Sequence, residues 1–133
     1  MPLAVLIALS LHALAAVFWV GTTFTLARTG GIGGERLFRP QMGAATLAVL
    51  TGSYVWHLLH EGSFGPSEQV LAVGVVAALI AAGVQGALAG PASRRLRAGH
   101  DEAAARSRLA LAQRVAAVLL AVTLVCMVIA RDV

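Results

Sequence analysis

The 133-residue sequence contains no lysine. All ten of its basic residues are arginine, against six acidic ones. Charge of either sign is scarce, 12% of the chain, while 59% is hydrophobic. A soluble domain of this length needs far more polar surface. The composition therefore makes a lipid bilayer the expected solvent. A single cysteine, Cys126, excludes an intramolecular disulfide and leaves the redox compartment unread. The first apolar run lacks a basic leader and runs past the usual length of a signal-peptide core, so it is not read as one.

What the chain does have is long apolar runs. Residues 2–27, 40–60 and 69–93 carry no charged side chain, and residues 109–130 are interrupted only by Gln113 and Arg114. Each is about the 20 residues that a spanning helix requires. The expected fold is all-α: one integral membrane four-helix bundle over 1–133, with helices at about 3–27, 41–60, 69–90 and 102–130. Arg28, Arg36 and Arg39 fall in the first loop, and Arg94, Arg95, Arg97, Arg106 and Arg108 in the third. The positive-inside rule makes that side cytoplasmic and puts both termini on the outer, periplasmic side of an inner membrane. Topology accounts for the arginines, so no nucleic-acid partner is expected.

The loops are plain. "RTGGIGGERLFR" has no preceding strand and no following lysine, so it is a glycine-rich turn rather than a phosphate loop. The short "EGSFGPSE" predicts that helices two and three are antiparallel neighbours. Asp101 is placed to cap the fourth helix, with Glu102 and Arg106 as an i,i+4 pair. Small residues at four-residue spacing mark packing faces: Ala44, Ala48 and Gly52 on helix two, and Ala82, Gly86 and Gly90 on helix three.

His12 stands out. It lies about ten residues inside helix one, roughly 15 Å at 1.5 Å per residue, and an intramembrane ionisable residue is a functional candidate. Trp19 is two turns further on the same face, with Gly21 expected to relieve crowding beside it. Reflecting helix one onto helix two about residue 34 brings His12 level with His57, with His60 a turn beyond. Further reflections bring Met127 and Cys126 to the same layer. Imidazole and thioether or thiolate together suit copper. A second layer, nearer the cytoplasm, holds Gln85, Gln113 and Arg114. Blander readings exist: His57 and His60 beside Trp56 also suit an interfacial belt, and Met127 and Cys126 suit ordinary packing. The glutamines suit helix-to-helix hydrogen bonds, with Arg114 reaching back to the interface. A quinone head group or a proton path is the sharper alternative for them.

The pattern Leu11-His12-x6-Trp19-x-Gly21, followed by "RLFRPQMGAATLAVLTGSYVW", resembles the start of the CopD copper-resistance membrane domain and of the related HemJ-like membrane proteins. The resemblance covers about the first sixty residues. The CopD likeness implies copper movement across the inner membrane. The HemJ likeness implies a heme b protein that oxidises protoporphyrinogen, with a functional lysine that this chain lacks. His12 matches the first-helix histidine of both families, and Trp19 is its neighbour.

Neighbouring helices pack about 8–10 Å apart, a gap over which two histidines can share one bare ion. Heme iron needs more room, since each axial imidazole adds its own length and a bond of about 2 Å. The expectation is thus a copper-binding or copper-translocating protein with ligands His12, His57, His60 and Met127. The first alternative is a heme b redox protein with His12 as axial ligand. Its heme would be held across diagonal helices, across a homodimer interface, or with Met127 as second ligand. The other alternative is a structural membrane subunit without cofactor.

Overall fold

Long apolar runs free of internal breaks become helical rods. In the computed structural model, which describes residues 2–59, 62 and 64–133, α1 spans Leu3–Arg28 and α2 spans Gly34–Leu59. The third rod is continuous from Pro66 to Ala98. It comprises α3 (Pro66–Val84), one π turn (Gln85–Ala89) and α4 (Gly90–Ala98). The fourth is α5 (Glu102–Ile129), closed by a 3-10 turn at Ala130–Asp132. Among the described residues there is no strand. All four rods are long and apolar enough to cross a membrane, consistent with a multi-pass membrane protein.

Two helix boundaries differ from the sequence reading, and a proline lies near each. The second helix begins at Gly34 rather than near 41, with Pro40 inside it. Pro40 removes one backbone donor, yet the turn before it is held from outside. Arg106 Nη1 donates to Gly31 O (2.8 Å) and to Glu35 Oε2 (2.8 Å), and Nη2 to Glu35 Oε1 (3.4 Å). Arg106 is therefore tied to the start of α2, not to Glu102 as the i,i+4 spacing suggests. Asp101 precedes α5 with φ 45° and makes no side-chain cap. Replacing Arg106 by alanine should lower stability by about 1 kcal/mol, given that the pair is partly exposed. Thermal unfolding in detergent measures this.

The expected end of the third helix is about residue 90. The helix runs on to Ala98 instead. Pro91 cannot donate to the turn behind it, and the chain accommodates this by widening: the Gly90 N–H bonds to Gln85 O, five residues back. Single π turns of this kind are frequent at functional sites.

Packing is unequal around the bundle. α1 packs on α2, α3 on α5, and α1 on α5, whereas α2 and α3 barely touch. That corrects the expectation of close α2–α3 neighbours. α2 leans on the π turn and α4 instead, so the two helices diverge toward the end where the chain termini lie. Ser67 Oγ donates to Ala130 O (2.9 Å), fixing the start of α3 beside the end of α5 at that end. The opposite end holds the first loop and the start of α5.

The interior is built from small residues, with Ala15, Ala48, Ala81 and Ala116 buried. Large aliphatics such as Leu14, Val17, Leu50 and Val118 point outward. Small interior residues allow close backbone approach where no water drives helices together. Of the expected ladders, Ala48 and Gly52 meet α1 at His12, and Gly90 meets Phe38. Gly86 faces outward with nothing near it.

Candidate functional site

Divergence of α2 from α3 leaves a cavity of about 750 Å³. All four rods wall it. α1 contributes His12 and Trp19, α2 Gly52 and Trp56, α3 Leu71 and Val75, and α5 Leu120 and Met127. Arg131 and Phe64 line it toward the termini end. The volume lies within the range of about 300–1,000 Å³ usual for small-molecule and cofactor sites.

His12 is half-buried, and its tautomer follows from its partners. Nδ1 lies 2.8 Å from Ala48 O. A carbonyl can only accept, so Nδ1 carries the proton and donates. The same nitrogen reaches Thr51 Oγ1 at 3.2 Å, and that hydroxyl in turn donates to Leu47 O. Neutral His12 therefore keeps its lone pair on Nε2, which has no hydrogen bond among the described residues. Metal-ligating histidines usually have this arrangement, one nitrogen donating to a fixed acceptor while the other stays available. The ring also lies directly on Gly52. A Cβ built there would come 2.9 Å from His12 Cε1 and 3.3 Å from Nδ1, so any side chain at 52 would move the imidazole.

Trp19 is buried and packs with Ala116 and Leu120, closing the cavity from below. Its Nε1 donates to Gln85 Oε1 at 2.7 Å. Behind it lies a polar network sealed from solvent. Gln85 Nε2 donates to Thr23 Oγ1 (2.9 Å) and Gln113 Oε1 (3.1 Å). Gln41 Nε2 donates to Thr23 Oγ1 (3.0 Å) and Gln113 Oε1 (3.1 Å), and Gln113 Nε2 returns a bond to Gln41 Oε1 (3.2 Å). Thr23 Oγ1 donates to Trp19 O (2.7 Å). The three glutamines come from α2, the π turn and α5, and each is fully buried. Their polar atoms are committed to one another. A quinone head group would have to break these bonds to enter, so the helix-joining role is the one the geometry supports.

The expected site residues are only partly brought together. His12, Trp19 and Met127 line one cavity. His57 does not line it and is exposed on α2. The reason is register: α1 and α2 pair about Gly31, not residue 34, which puts Ala48 to Gly52 beside His12 and leaves His57 about two turns further out. Cys126 lies apart from the cavity, half-buried, with its Cβ 3.0 Å from where a Cβ on Gly74 would be. Arg114 is exposed on α5, outside the glutamine network. Gly21 faces outward with open space around it and relieves no crowding at Trp19. His60 lies outside the described residues. Among the described residues no three His, Cys, Asp or Glu side chains cluster as a metal site. Gln41 and Thr23 are network members that the sequence reading missed. No protein-family model, curated protein or solved structure matches the chain.

Proposed function

We propose that this chain is a multi-pass membrane protein of the inner membrane that binds heme b, with His12 as an axial ligand and Met127 on the same cavity as candidate second ligand. The observation that carries the reading is His12 itself. Its Nδ1–H is fixed on Ala48 O and its Nε2 is free of hydrogen bonds beside a large apolar cavity. A porphyrin needs that volume, an apolar enclosure and an imidazole lone pair, and the histidine–methionine pair is one of the ligations found in cytochromes. When bound, heme would supply one-electron redox chemistry. The chain's own residues would orient it: Ala48 O and Gly52 set the ring plane of His12, and Trp19 closes the buried end. The resemblance of the first sixty residues to heme- and copper-handling membrane proteins agrees with this, and the arginine asymmetry supports a periplasmic position for both termini.

Copper is the second reading. It is favoured by the imidazole and thioether on one cavity, a donor pair suited to Cu(I). The two readings separate on the purified protein. Heme binding predicts a Soret band and about one heme per chain by pyridine hemochrome. Copper in stoichiometric amount without porphyrin absorption would replace heme by copper. A colourless, metal-free protein that takes up neither would overturn both and leave a structural subunit.

A further inference from the structure

The cavity wall is almost wholly apolar, and nearly every polar group on it is already committed. Ser53 Oγ donates to Val49 O, Ser67 Oγ to Ala130 O, and Thr123 Oγ1 to Gly74 O. Trp19 donates to Gln85, and Trp56 is also engaged. Two groups remain available: His12 Nε2 and the guanidinium of Arg131. Among the described residues Arg131 is the only charged one on the wall; it is exposed and has no ion-pair partner among them.

The two lie at different depths. α1 and α5 run antiparallel, since the end of α1 meets the start of α5 through Arg106 and Gly31. Trp19 packs at the level of Ala116 and Leu120. His12 is two turns back along α1, which places it near the level of Val125. Arg131 is then roughly 9 Å nearer the termini end, at 1.5 Å per residue.

We propose that Arg131 anchors the acidic edge of the cavity's ligand. The site takes an apolar molecule that meets His12 inside and presents a carboxylate at the termini end. The inference rests on the heme reading and adds an orientation to it, with both propionates toward Arg131. Guanidinium suits this because its fixed fork of donors matches a carboxylate, and such charge-assisted bonds are the strong ones. Among the described residues the rest of the wall gives the acidic edge no competing cation, so the porphyrin has one preferred orientation.

The test is a titration of the purified, heme-free chain in detergent with heme b and with heme b dimethyl ester, followed by visible absorption. The wild type should bind the free acid about ten-fold more tightly than the ester. Arg131→Leu should lose that preference and bind both at the ester's affinity, while Arg131→Lys should retain part of it. Equal affinities in the wild type, or an undiminished preference in Arg131→Leu, would remove Arg131 from the site while heme binding stands. Failure of the wild type to bind either form would overturn the heme reading and this inference together.

Discussion

Replacing His12 by alanine should abolish heme binding while leaving the bundle folded. The side chain is half-buried, and its one strong bond is Nδ1 to Ala48 O. That carbonyl keeps another partner, since Thr51 Oγ1 approaches it at 3.2 Å, so the substitution orphans no buried acceptor. The folding loss should be about 1 kcal/mol, the usual net value of one hydrogen bond. Loss of the axial nitrogen removes the bond that fixes the iron, so heme affinity should fall about a hundred-fold or more. Gly52→Val should reproduce the effect without touching the ligand, because a Cβ at 52 collides with His12 Cε1 at 2.9 Å. Gly43→Ala is the control: nothing lies within 4 Å of a Cβ there, and heme content should not change. Pyridine hemochrome on the three purified variants measures this. Full heme content in His12→Ala would remove His12 from the site. Full content in Gly52→Val would show that ring placement is not what the glycine provides.

The helical rods were legible in the sequence because their signal is long and summed over many residues. Charge-free runs fixed their number, and the ends of α1 and α5 fall within a residue or two of expectation. Boundaries at proline were not legible. Pro40 and Pro91 read locally as a start and a stop, since each removes a donor. In the structure Arg106 secures the turn before Pro40, and a π turn absorbs Pro91. Both remedies depend on residues far away in sequence or on an unusual hydrogen-bond pattern, neither of which local composition signals. Helix pairing depends on those boundaries. Starting α2 seven residues late moved the α1–α2 pairing centre from Gly31 to 34, and that offset selected His57 in place of the Ala48–Gly52 stretch. It also hid Gln41, which reads as a helix-start residue if α2 begins at 41 and as an interior one if it begins at 34. By contrast, the pairing of Gln85 with Gln113 survived, because the loop between α4 and α5 is short and well centred, and the two amides are 3.1 Å apart.

The glutamine network makes the last prediction, because two opposed effects meet there. Gln113→Leu removes an amide whose Oε1 accepts from Gln41 and Gln85 and whose Nε2 donates to Gln41. Buried groups left without partners cost about 1–3 kcal/mol each. In membrane proteins the measured values are smaller, averaging about 0.6 kcal/mol, because the unfolded chain also finds partners in lipid. A single replacement here unsettles groups on two other helices at once, so the net loss should be about 2 kcal/mol, nearer the upper end of the membrane range. Converting Gln41, Gln85 and Gln113 together to leucine should cost much less than the three single losses added, since matched apolar replacement leaves fewer orphaned donors. In that triple variant Trp19 Nε1 loses its acceptor and Thr23 Oγ1, though still donating to Trp19 O, loses both of its donors, so it should not be neutral. Gln85→Leu alone should also release the indole of Trp19 from its 2.7 Å bond, shifting tryptophan emission and loosening the closed end of the cavity. Reversible unfolding of the single and triple variants in mixed micelles gives the numbers. Strictly additive losses would mean that the amides act as independent pairs, and that the three helices are not held by one shared network.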